Sequence, residues 1–113
     1  DNFLLYSGDD LTACNFMLQG GHGTISVTAN IVPEKISRIS ELALKKNISA
    51  SDLDKDLEKL HENLFIESSP IPVKWALNKM GRIPEGIRLP LSHLDEAHHA
   101  KLNEILLELN LLD

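Results

Sequence analysis

The sequence predicts an α/β protein, and more narrowly the last part of a larger α/β domain, beginning just before a strand. Three observations carry this. Residues 3–30, FLLYSGDDLTACNFMLQGGHGTISVTAN, pass from strand to sharp turn, helix, Gly-rich turn and strand. Every periodic segment after Asn30 has helical spacing. A single parallel pair cannot form a sheet alone, because parallel sheets have several strands with helices over both faces.

Taken in order, Phe3–Tyr6 is a short apolar run ended by Ser7-Gly8-Asp9-Asp10. Ser and Asp there suit helix N-caps, and acids suit the helix dipole. The spacing predicts a helix over Leu11–Leu18 that buries Ala13, Phe16 and Met17. Gly20-Gly21-His22-Gly23 stops it. Thr24–Thr28 reads as a β-branched strand buried on both sides, and the crossover has the length of a right-handed βαβ unit. Pro33 opens a helix to about Lys46 with an Ile36, Ile39, Ala43 stripe. Leu53, Leu57, Leu60 and Leu64 form a seam that predicts one helix from about Ser51. Ser68-Ser69-Pro70-Ile71-Pro72 breaks it, Val73–Met80 is helical, and Ile83–Leu91 is an ordered loop. Ser92 with Asp95 resembles a capping box for a last helix buried through Leu94, Leu102, Ile105, Leu106 and Leu109.

Composition narrows the function classes. Of 113 residues, 42% are hydrophobic and 25% charged, so a packed core is expected and disorder is not. The net charge is −6 with dispersed lysines and arginines, which argues against a nucleic-acid or acidic-membrane surface. No apolar run approaches the roughly 20 residues of a membrane span. The single cysteine, Cys14, has no internal disulfide partner, which suits a reducing cytoplasm.

Few residues carry obvious chemistry. Ser7-Gly8-Asp9-Asp10 lies at the carboxyl end of a parallel strand, where ligands bind in α/β folds; simple N-capping is the alternative, and both are open. Gly20–Gly23 precedes a strand rather than following one, so it reads as a helix stop and not a phosphate loop. His22, His61, His93, His98 and His99 show no metal-ligand spacing and read as solvated surface residues. No lysine lies on either predicted strand. Lys74, between Val73 and Trp75, alone has an apolar setting and is assigned a structural role. An imine-forming enzyme of this type would have its lysine elsewhere.

Four stretches in order, SGDD, GGHGTISVTAN, ESSPIPVKWAL and GIRLPL, resemble the C-terminal part of the 4-hydroxy-tetrahydrodipicolinate synthase (dihydrodipicolinate synthase) family, within the pyruvate-dependent class I aldolases. The resemblance implies the C-terminal fragment of a (β/α)8 TIM barrel plus a C-terminal helical appendage. Residues 1–46 would supply the last two β/α units, with Phe3–Ser7 and Thr24–Thr28 as strands 7 and 8, and residues 47–113 the helical region. It further implies condensation of pyruvate with L-aspartate 4-semialdehyde through a lysine Schiff base, with no cofactor and no metal, in a cytoplasmic homotetramer. The imine lysine and the proton-relay tyrosine would lie upstream, in the other part of the barrel. Onto this chain the family pattern carries Ile25, whose backbone carbonyl would line the pyruvate pocket, and Gly8 and Asp9, which would border the substrate. Ser69 stands where many members have Asn. Two rivals remain open: another pyruvate aldolase such as an N-acetylneuraminate lyase, and a non-catalytic helical binding module, which would melt cooperatively as a stable monomer.

Overall fold

A computed structural model describes residues 2–113. The chain divides into two compact units, residues up to 58 and residues from 59 onward.

In the first unit, strand β1 (Tyr6–Ser7) leads through helix α1 (Asp10–Leu18) to strand β2 (Gly23–Thr24). The strands pair in parallel, Tyr6 opposite Gly23 and Ser7 opposite Thr24. The ladder continues one bond at either end, from His22 N–H to the Leu5 carbonyl and from Ile25 N–H to the Ser7 carbonyl, each 2.9 Å. Gly23 suits this register because the Tyr6 ring lies 2.9 Å from where a side-chain carbon would start. A 3₁₀ turn (Thr28–Asn30) delivers the chain to α2 (Pro33–Leu44), with Pro33 at its first position. Helix α3 (Ser49–Lys55) follows and packs on α2 and α1. The buried side chains of this unit include Ala13, Cys14, Met17, Ile31, Val32, Ile39 and Ala43.

The second unit holds most of α4 (Glu58–Asn63), then α5 (Ile71–Lys79), a 3₁₀ turn (Glu96–His98) and α6 (His99–Glu108). Its buried side chains include Leu60, Leu64, Ile71, Val73, Leu94, Leu102, Ile105 and Leu106.

Several expectations are corrected. The strands expected over Phe3–Tyr6 and Thr24–Thr28 each shorten to two residues. A strand persists only where a neighbour takes its hydrogen bonds, and this chain offers one neighbour over two residues. Ile25 is 76% exposed rather than buried on both sides, and from Ile25 onward the chain has left the strand. The helix expected from Ser51 through the leucine seam is two helices, α3 and α4, separated at Asp56-Leu57. Leu53 is exposed, whereas Leu57, Leu60 and Leu64 are fully buried. Phe16 is only half-buried. The Ser92 capping box does not form; Asp95 itself caps, its Oδ1 accepting from Ala97 N–H at 2.8 Å. His61 is buried at 1% exposure, not solvated, because together with Leu60 it forms the buried part of α4.

Candidate functional site

The carboxyl ends of the two strands meet at the turn into α1. Ser7 is buried, and its hydroxyl accepts from Asp9 N–H and donates to the Asp9 carbonyl, both at 3.1 Å, folding residues 7–9 into a tight turn. Gly8 is exposed, with nothing within 4 Å of the place a side chain would occupy. Asp9 holds the N-cap position of α1 with extended backbone, yet its side chain caps no backbone N–H. Its Oδ2 instead accepts from the Thr12 hydroxyl at 2.7 Å. Ile25 is joined to this turn through its N–H on the Ser7 carbonyl. The three residues that the sequence singles out, Gly8, Asp9 and Ile25, therefore flank the same strand end.

Sequence reasoning placed Asp10 in the candidate turn but gave it no role of its own. It is buried at 4% exposure, and its carboxylate points to the chain leaving β2. Oδ2 accepts from the N–H groups of Val27 at 3.0 Å and Thr28 at 3.1 Å, and Oδ1 accepts from the Ser26 hydroxyl. Ser26 Oγ in turn accepts from Ala29 N–H at 3.0 Å. One carboxylate thus fixes residues 26–28, the residues directly after Ile25. Charge-assisted bonds of this kind are about twice as strong as neutral ones, so the backbone at Ile25 is held from both sides. The only available signal was the repeated acid at positions 9 and 10.

The arrangement can border and orient a small ligand with backbone groups and a fixed turn. It offers no imine-forming lysine: the lysines lie on α2 or beyond, none on β1 or β2. Cys14, inward on α1, is no candidate. Burial raises its thiol pKa above the ordinary 9.0, the Asp54 charge raises it further, and a hydrogen bond with Ser51 opposes both. Among the described residues no group of three or more His, Cys, Asp or Glu is placed to hold a metal ion. No helix among them is long and apolar enough to cross a membrane. Ser69 lies in the second unit, exposed, just before Pro70.

Comparison with known proteins places this geometry in a family. Residues 1–109 match the Dihydrodipicolinate synthetase family. The 4-hydroxy-tetrahydrodipicolinate synthase of Alcanivorax borkumensis is 53% identical over all of this chain and 39% of its own length. That of Teredinibacter turnerae is 50% identical over 95% of this chain and 37% of its own. The crystal structure of the chloride-inhibited dihydrodipicolinate synthase of Acinetobacter baumannii, complexed with pyruvate, superposes with a TM-score of 0.94 at 46% identity. That match covers 97% of this chain and 38% of that one. A monomeric dihydrodipicolinate synthase variant superposes at 0.91 and 35% identity. This chain spans about two-fifths of the length of the relatives it matches. Its strands and helices accordingly form part of a (β/α)8 barrel with attached helices, and on these matches the chain belongs to the dihydrodipicolinate synthetase family.

Proposed function

We propose that the chain is the part of a 4-hydroxy-tetrahydrodipicolinate synthase that supplies strands 7 and 8 of the barrel from residues 1–46 and an appended helical region from residues 47–113. The whole protein would be a lyase of lysine and diaminopimelate biosynthesis, condensing pyruvate with L-aspartate 4-semialdehyde through an imine on a lysine outside this chain. The observation that carries the reading is the family match over residues 1–109, at up to 53% identity with synthases.

Within that reaction the chain's residues bind and orient. The Ile25 carbonyl would face pyruvate, an acceptor with no titratable group, held by the Ser7 bond before it and the Asp10 clamp after it. Gly8 would let substrate approach the backbone, and Asp9 would border the site with a charge steadied by Thr12. Assembly as a homotetramer and a cytoplasmic location go with the same reading, and a monomeric variant among the similar structures makes the oligomeric state a separate measurement.

The test is turnover by the full-length protein carrying this chain, followed with pyruvate and L-aspartate 4-semialdehyde. Condensation of that pair is the expected result. Cleavage of an N-acylneuraminate without it would move the protein to the lyase branch of the same superfamily.

A further inference from the structure

We propose that the cleft between α5 and the loop over residues 83–94, wholly within the second unit, binds a small organic carboxylate held by Lys74 and Lys79. The cleft measures about 210 Å³. Both lysines line it, and among the described residues neither forms an ion pair. Lys74 is the lysine that the sequence sets apart in an apolar context, and it is half-buried. A half-buried lysine without a carboxylate partner offers an anion a charge-assisted hydrogen bond.

The second lysine is already positioned. Lys79 Nζ lies 5.4 Å from the centre of the Trp75 ring, a cation–π contact that leaves its N–H donors free for a ligand. Trp75 is fixed in turn by His99, stacked with ring centres 4.8 Å apart and planes inclined at 25°. His99 Nε2 is 3.0 Å from the Leu94 carbonyl, which can only accept, so that nitrogen donates and the ring orientation is set. The aromatic surface that Lys79 lies over is therefore positioned before any ligand arrives.

Charge and lining give the ligand's class. The chain is net −6, yet this cleft faces two lysines against one carboxylate, the exposed Glu85. A concave, locally positive site on an acidic protein concentrates anions. The buried Ile71 and Leu94 add an apolar floor suited to a short carbon skeleton, which an inorganic oxyanion would not use.

Calorimetric titration of the full-length protein with succinate, and separately with inorganic phosphate, tests this. Succinate is expected to bind better than phosphate. The Lys74→Met/Lys79→Met pair is expected to weaken succinate by about tenfold or more, and Lys74→Arg to hold it within about threefold. Should the double variant fail to fold, Lys79→Met alone, at an exposed side chain, carries the same expected direction. A succinate molecule bound at the proposed pyruvate pocket would not respond to these lysines, so the two readings fail separately. No succinate binding, unchanged affinity in the lysine variants, or tighter binding of phosphate would overturn the proposal.

Discussion

Two adjacent aspartates at the start of α1 have different fates. The Asp9 side chain is exposed and accepts from the Thr12 hydroxyl, whereas that of Asp10 is buried and gathers Ser26, Val27 and Thr28. Asp10→Ala would leave two backbone N–H groups without their acceptor, at a cost of about 3 kcal/mol. Urea unfolding of the full-length protein is expected to show that loss, and pyruvate affinity is expected to fall with it as residues 26–28 loosen. Asp9→Ala is expected to cost well under about 1 kcal/mol, since an exposed bond is easily replaced by water. Sequence alone could not assign these roles, because both acids sit in the first turn and the partners are 16 to 18 residues away. The same limit hid His61: a histidine within a charged stretch looks solvated until the face of its helix is known. Cys14 supplies a pH prediction at this scale. Its folded pKa is raised by burial first and by Asp54 second, so the neutral thiol is favoured in the folded state. The stability this gives is fully present below the ordinary value of 9.0 and is lost as pH rises through the raised folded value. Stability curves from pH 8 to 11 should therefore decline more steeply in the native chain than in Cys14→Ala, and parallel curves would refute the assignment.

At the scale of elements, helix ends explain more than helix interiors. α1 and α2 close with the same pair of bonds. Gly20 N–H reaches the Met17 carbonyl and Gly21 N–H that of Phe16; Lys46 N–H reaches Ala43 and Asn47 N–H reaches Leu42. In both, the residue after the cap takes positive φ, 116° at Gly20 and 61° at Lys46. Glycine does this freely, while lysine pays a backbone strain of about 1 kcal/mol. Lys46→Gly is therefore expected to stabilise the protein by about that amount, read as a higher denaturation midpoint at unchanged slope; a lower midpoint would contradict it. The helices and their stops were legible in the sequence because periodicity, prolines and glycines act locally. The bounds of α1 and α2 fall close to the expected ones for that reason. Strand lengths were not legible, since a strand extends only as far as a partner's hydrogen bonds, and periodicity does not state where the partner ends. The leucine seam misled for a related reason. Leu57 lies in the break between the helices, Leu60 within α4 and Leu64 just after it, so burial at helical spacing does not by itself require one continuous helix.

At the scale of the molecule, the first unit carries apolar side chains that it does not cover. Phe3, Leu4, Leu5, Tyr6 and Ile25 are all more than half exposed, on or beside the two strands. A parallel strand is normally covered on both faces and paired on both edges, so these side chains belong against further barrel strands in the proposed whole. The sequence revealed that incompleteness directly, through two strand signals followed only by helices. It also pointed to the strand ends as the candidate site, but gave no sign of the clamp there. The measurement that bears most directly on the central claim is borohydride trapping with pyruvate, followed by peptide mapping of the full-length protein. One reduced pyruvate adduct, on a lysine outside these 113 residues, is the expected result. An adduct on a lysine within the chain, or no adduct at all, would contradict it.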